Sequence, residues 1–162
     1  MKLKAMSAAV IAAAVVDANA APPTPRSERQ ERGAAMLERV DGATGVAVVG
    51  TLAKSFPDFA AYILEYSFGD IYSRPGLGLR EREIATVAAL TAMGNAAPQL
   101  RVHIDAALHV GCTPQEIVET VMQMSVYAGF PAALNGLAAV QEVFTKRGIP
   151  LPLAASKQPA SP

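Results

Sequence analysis

The chain has 162 residues, of which 51% are apolar and 17% charged, which is enough apolar material for one domain with a sizeable core. Its 14 basic and 14 acidic side chains cancel, which excludes a strongly basic nucleic-acid binder and an acidic disordered protein. Abundant alanine, few aromatic residues and no tryptophan favour packed helices over a β-sandwich or barrel.

The N-terminal segment has the pattern of a secretory signal peptide. Lys2 and Lys4 give a positive start, Met6–Val16 is an apolar run, and Ala18-Asn19-Ala20 follows as a small-residue cleavage motif. We therefore expect residues 1–20 to be removed before Ala21 and the protein to be periplasmic or secreted. The apolar run is too short for a stop-transfer helix, so no membrane association is expected after cleavage. An uncleaved N-terminal anchor is the alternative.

Residues 21–148 are predicted to form one helical domain, entered through a proline-containing linker at Ala21–Pro25 and followed by a proline-rich disordered tail at 149–162. No segment shows the sustained alternation of a β-strand, so the fold class is all-α. The predicted helices are Ser27–Val40, Pro57 to about Asp70, Arg80–Met93, Pro98–Val110, Pro114 to about Ala128 and Pro131–Arg147, and Val46–Lys54 is predicted to be a short apolar helix or turn.

Helix ends are predicted from capping and turn residues. Asp41-Gly42 ends the first helix, Gly94 suits the position after a helix end, and the prolines and glycines of Arg74–Gly78 form a loop. Thr113, Pro114 and Glu116 make a helix start, with a threonine cap, proline in the first turn and glutamate closing a capping box.

Two polar residues lie on apolar helix faces. His103 lies within a stripe of apolar residues on its helix, and Glu83 borders the buried face of the preceding helix. Consecutive helices with a short connection usually pack side by side, so the two side chains can meet. A buried histidine needs a hydrogen-bond partner, and a carboxylate is a natural one. The pattern is compatible with a structural histidine or with a proton-transfer pair.

Other polar residues have both structural and functional interpretations. Arg74, Arg80 and Arg82 cluster around the loop, where they can clamp a carboxylate or form a solvated face paired with Glu81 and Asp70. Two histidines in all leave little material for a metal site. Cys112 has no second cysteine for a disulfide or a cysteine-based zinc cluster, and a buried or half-buried thiol is expected.

Four motifs in series resemble the carboxymuconolactone decarboxylase family. They are RPGLGLRERE at 74–83, LRVH at 100–103, GCTPQEIVE at 111–119 and YAGFPAALN at 127–135, within a resemblance that runs from Phe56 to Lys146. The resemblance implies an all-helical bundle of the alkylhydroperoxidase D type with about six to seven helices. It also implies assembly as a homotrimer or homohexamer. Glu83 and His103 fall on the glutamate and histidine positions of the family.

The resemblance also separates two chemical branches of that family. The thiol branch carries a Cys-x-x-Cys pair that would fall near Asn95 and Pro98, and neither position is cysteine. The decarboxylase branch needs no metal and no organic cofactor. It implies Glu83 and His103 as catalytic groups, with the three arginines and Tyr127 contacting a small anionic, lactone-like substrate.

Two features distinguish this chain from the decarboxylases of the family. Gln123 occupies a position where they often carry a second histidine, and an export signal is unusual for a cytoplasmic catabolic enzyme. The substrate is therefore expected to differ. The alternatives are a non-catalytic helical oligomeric binding protein that retains the fold, and a peroxidase-type activity, which the single cysteine disfavours.

Overall fold

A computed structural model describes residues 27–153. The predicted signal peptide, the linker and residues 154–162 of the predicted tail lie outside this range. Within it the chain is helical and has no β-strand, which confirms the all-α prediction. The elements are α1 (Glu28–Ser55), α2 (Pro57–Tyr62), a π-helix (Ile63–Tyr72), α3 (Leu79–Met93), α4 (Ala97–His109), α5 (Pro114–Ala128) and α6 (Phe130–Arg147).

Helix α1 contains both predicted N-terminal helices as two halves joined at a kink. Ser27 caps the first half, and its capping box with Gln30 is complete. The backbone at Gly42 has φ 59° and ψ −154°, a left-handed φ that favours glycine and interrupts the helix where Asp41-Gly42 was predicted to end it. The second half runs to Ser55, so it is a full helical segment rather than a short turn.

The predicted helix from Pro57 changes character partway along. It is α-helical to Tyr62 and then continues as a π-helix to Tyr72, slightly beyond its predicted end. The wider turn accompanies close packing against α1, since a Cβ added at Gly33 would lie only 1.9 Å from a backbone oxygen of the π-helix. π-Helical segments are rare and are frequently found at functional sites. Tyr72, the last residue of this segment, belongs to the candidate site described below.

Helices α3 to α6 begin or end within a residue or two of their predicted bounds. The capping box of α5 forms as predicted, with the Glu116 amide donating to Thr113 Oγ1 (3.1 Å) and the Thr113 amide donating to the Glu116 carboxylate (2.7 Å). These four helices enclose one core, whose largest members include Ile104, Ile117 and Phe144. No helix in the described range is long and apolar enough to cross a membrane.

A second, smaller core lies between α1, the π-helix and α4 and contains Leu37, Val40 and Phe68. Ile149 and Leu153, which were assigned to the disordered tail, pack against the first core, so the ordered domain extends beyond Gly148.

Candidate functional site

The centre of the site is a hydrogen-bonded pair of side chains from α3 and α4. His103 Nδ1 lies 3.0 Å from Glu83 Oε2. Glu83 is 0% exposed, whereas 22% of the His103 side-chain surface is exposed. The structure therefore brings together the two residues that the helical stripes placed on facing surfaces, and it buries the carboxylate behind the imidazole.

Tyr72, at the end of the π-helix, holds the second oxygen of the buried carboxylate. Its hydroxyl donates to Glu83 Oε1 at 2.8 Å and lies 3.1 Å from Thr86 Oγ1, which itself donates to a backbone carbonyl of α3. Burial, with the nearby negative charge of Glu83, raises the pKa of Tyr72 well above its usual range, so the phenol keeps its proton. Both oxygens of Glu83 therefore accept hydrogen bonds, which satisfies a carboxylate with no access to water.

The pKa of His103 reflects opposing contributions. Burial lowers it, whereas the hydrogen bond and charge of Glu83, together with the charge of Asp41, raise it. The raising contributions are larger together, so the pKa of His103 lies above its usual 6.5. Donation from Nδ1–H to Glu83 fixes the ring orientation and leaves Nε2 as the nitrogen that can exchange a proton with a ligand. The contact with Glu83 therefore favours the protonated imidazole.

Asp41, just before the kink of α1, brings a second carboxyl to the pair. It is 8% exposed, and its Oδ1 is buried with no hydrogen-bond partner. Burial raises its pKa from 3.8 to about 6, with the charge of Glu83 raising it further and that of His103 opposing the shift. A buried polar atom without a partner is costly, and such atoms in a native fold call for an explanation.

A cavity of about 900 Å³ opens beside these groups. Its polar end includes Asp41, Tyr72, Thr86 and His103, and Glu83 lies behind that surface rather than on it. Glu83, which the family resemblance implied as a catalytic group together with His103, does not line the cavity itself and lies behind the histidine and the tyrosine. Most of the wall is apolar and includes Val48, Val49, Leu52, Phe59, Ile63 and Val102.

The site residues also have the composition of a possible cation site. Asp41, Glu83 and His103 can each offer one ligand atom, and these atoms lie within 4.8 Å of one another. The sequence led us to expect no metal, because two histidines leave little material for a metal site. A cation would have to compete with the hydrogen bonds that already occupy both oxygens of Glu83.

The predicted arginine cluster does not reach the cavity. Arg80 pairs with Glu116 (Nη2 to Oε1, 2.6 Å), and Arg74 lies exposed in the loop. Arg82 stacks over the Tyr72 ring at 5.7 Å and donates to the Arg74 carbonyl at 3.0 Å. None of the three arginines lines the cavity. The Arg80 side chain extends to Glu116 of the α5 capping box, and the Arg82 guanidinium stacks on the Tyr72 ring.

The remaining singled-out residues also lie away from the cavity. Tyr127 is 78% exposed at the end of α5, so the structure does not place it as a substrate contact within one subunit. Gln123 lies in a separate surface groove together with Arg80. Cys112 is buried, with its Sγ 3.7 Å from the Arg80 carbonyl, and burial raises the pKa of its thiol.

Three residues of the site were missed by sequence reasoning. Asp41 was interpreted only as part of a helix end, and Tyr72 and Thr86 were not singled out. A carboxylate just before a glycine break between two predicted helical segments was the available signal for Asp41. Nothing in the sequence marks Tyr72, because its approach to Glu83 depends on the π-helix.

The fold and site define an all-helical protein with a buried carboxylate–histidine pair at the end of an apolar cavity. The sequence profile of the carboxymuconolactone decarboxylase family matches residues 57–142, more than half of the chain. The protein therefore belongs to the carboxymuconolactone decarboxylase family, as the motifs had indicated.

Three relatives are similar to this chain. A 4-carboxymuconolactone decarboxylase of Acinetobacter baylyi is 37% identical over 92 residues, which cover 57% of this chain and 68% of that protein. An uncharacterized 15.0 kDa protein in the nqo9-nqo10 intergenic region of Paracoccus denitrificans is 38% identical over 96 residues, covering 59% and 72%. A nitrosuccinic acid decarboxylase of Metarhizium robertsii is 30% identical over 80 residues, covering 49% and 55%. Two of these relatives are thus named as decarboxylases, which supports a carboxy-lyase type of activity at the family level.

Proposed function

We propose that the protein is a decarboxylase-type lyase that needs no organic cofactor or metal and acts on a small anionic, lactone-like substrate. The observation that carries the proposal is the position of His103 between the buried carboxylate of Glu83 and an apolar cavity. Two decarboxylases among the similar proteins support the same reaction class.

The proposed reaction breaks the bond between the substrate carboxylate and its α- or vinylogous carbon. CO₂ leaves, and the electron pair stays on the substrate, where an adjacent carbonyl or lactone delocalises it as an enolate. Nε2–H of the His103 imidazolium then donates a proton to carbon, and water restores the proton on the ring. Glu83 acts through the imidazole, because it stabilises the cationic form and holds the ring in one orientation.

The apolar wall assists this chemistry by excluding water. A carboxylate transferred from water to an apolar surrounding loses solvation that the neutral CO₂ product does not need, and electrostatic interactions with His103 strengthen in such a surrounding. The arginine clamp expected from the sequence is not part of the proposal, because none of its members lines the cavity.

The test is CO₂ release from a panel of carboxylates in D₂O, with NMR detection of deuterium at carbon. The panel contains 4-carboxymuconolactone, nitrosuccinate and benzoylacetate. We expect one of these or a close analogue to be turned over, His103→Gln to remove at least 99% of the activity, and His109→Gln to retain it. His109 is the matched control because it is an exposed histidine of the same helix outside the cavity. An active His103→Gln variant would refute the assigned role.

A non-catalytic binding protein is the second candidate, and the largely apolar cavity favours it. That function predicts saturable binding of apolar carboxylates without CO₂ release from any of them. A thiol peroxidase is not proposed, since Cys112 is buried and positions 95 and 98 hold asparagine and proline.

Self-assembly and export are further parts of the proposal. Large apolar side chains are exposed around the junction of α5 and α6, and contact between copies would cover them. They are Met93, Met122, Val126, Tyr127, Phe130 and Leu134. We infer a homotrimer or homohexamer, exported after cleavage before Ala21, with no nucleic-acid or membrane partner in the mature state.

A further inference from the structure

We propose that Asp41 admits a carboxylate ligand to the cavity by taking up a proton and donating a hydrogen bond to it, so that the site selects carboxylates that place one carboxylate group at its polar end and an apolar portion against its wall. This inference rests on the proposed function, since it names the substrate class of the same cavity. Asp41 belongs to α1, outside the region 57–142 that matches the family profile.

The charges around the cavity create the need for this proton. No lysine or arginine lines the cavity in the described part of the chain, and His103 is its one lining group that can become cationic. The positive charge of His103 is already matched by Glu83 at 3.0 Å. With Asp41 ionised, an entering carboxylate would be the third negative group around a single imidazolium, and mutual repulsion would oppose its binding.

The groups that face Asp41 from neighbouring elements agree with this reasoning. Glu83 on α3 and Asp105 on α4 are negative and favour the protonated form, whereas His103 favours the ionised form. Tyr72 on the π-helix is neutral, because its phenol keeps its proton. Asp105 also pairs with Arg147, which weakens its influence. The negative charge of the ligand therefore raises further an Asp41 pKa that is already about 6.

The geometry leaves Asp41 free to make the new bond. Asp41 lines the cavity, and its Oδ1 is buried without a hydrogen-bond partner, so that oxygen makes no structural hydrogen bond that ligand binding would have to break. A protonated carboxyl donates a strong hydrogen bond to a carboxylate. The ligand carboxylate would lie between Asp41 and His103, and the apolar wall would enclose the rest of the ligand.

The test is calorimetric titration of the purified protein with benzoate, an unreactive apolar carboxylate, and with benzamide, its neutral counterpart. Titrations at pH 7 in buffers of different ionisation enthalpy give the number of protons taken up. With a pKa of about 6, Asp41 contributes an uptake of about 0.9 proton per benzoate and none per benzamide. Because neither probe reacts, the result does not depend on whether turnover is found.

The Asp41→Asn variant assigns the proton to its group. At pH 7 the proton uptake on benzoate binding should fall by about 0.9 proton per benzoate in this variant. At pH 8, where only about 1% of Asp41 is protonated in the wild type, the variant should bind benzoate up to about 100-fold more tightly than the wild type. Should the variant fail to fold, infrared difference spectra of wild-type protein carrying ¹³C-labelled aspartate should show a protonated carboxyl band appearing with benzoate. No benzoate binding at pH 5, equal proton uptake with benzoate and benzamide, unchanged uptake in Asp41→Asn, or no such band would each overturn the proposal.

Discussion

Replacing Asp41 with asparagine is expected to stabilise the protein at neutral pH, although it alters a residue of the site. The pKa of Asp41 is raised from 3.8 to about 6 in the folded state, mainly by burial. The folded state therefore binds the proton more tightly than the unfolded state. The stability that this carboxyl contributes is present below pH 4 and is lost as the pH rises through 6. At 1.36 kcal/mol per pKa unit, the ionised form costs about 3 kcal/mol at pH 7.

The measurement is urea unfolding of Asp41→Asn and the wild type between pH 4 and pH 8. Asparagine has the same size but cannot ionise, so the variant should match the wild type near pH 4 and exceed it by about 3 kcal/mol above pH 7. That difference corresponds to roughly 10 °C in melting temperature. Asp58→Asn, on the exposed surface of α2, is the control and should change stability by less than about 1 kcal/mol. A stability difference that does not vary with pH would refute the reasoning.

Four further results are expected. Glu83→Gln should lower the NMR titration midpoint of His103, because the hydrogen bond and charge of Glu83 raise that pKa; an unchanged midpoint would contradict this. Cys112→Ser should leave turnover within about twofold of wild type and peroxide consumption negligible, since the thiol is buried. Tyr127→Glu should reduce the molar mass found by light scattering, as a charge would enter the exposed apolar surface. Mass spectrometry of exported protein should find Ala21 at the N-terminus, and an intact Met1 would contradict cleavage.

The helices that begin and end at clear capping or glycine residues were predictable from sequence. Helix α5 is set by a threonine cap and a glycine end, both local features, and its bounds agree with the structure. The pairing of Glu83 with His103 was also accessible, because helical periodicity places each on a buried face and the short connection between α3 and α4 makes them neighbours.

The rest of the site depends on contacts between distant segments. Asp41 is buried only because the kinked α1 packs against α4, and no local pattern around an Asp-Gly pair encodes that packing. Tyr72 reaches Glu83 through a π-helix, which hydrophobic periodicity does not distinguish from an α-helix. Arg80 was predicted to cluster with Arg74 and Arg82 around the loop, but its long side chain extends to the capping glutamate of α5 instead.

The central claim is that His103 and Glu83 work as one proton-transfer unit, and a double-mutant cycle on turnover tests it most directly. The quantity is kcat/KM of His103→Gln, Glu83→Gln and the double variant, each corrected for its folded fraction by circular dichroism, on a substrate found in the panel. We predict a loss of at least about 100-fold for each single variant and a double variant within about threefold of the worse single one. Losses that multiply in the double variant, or variants that melt earlier but keep wild-type kcat/KM in the folded fraction, would contradict the claim.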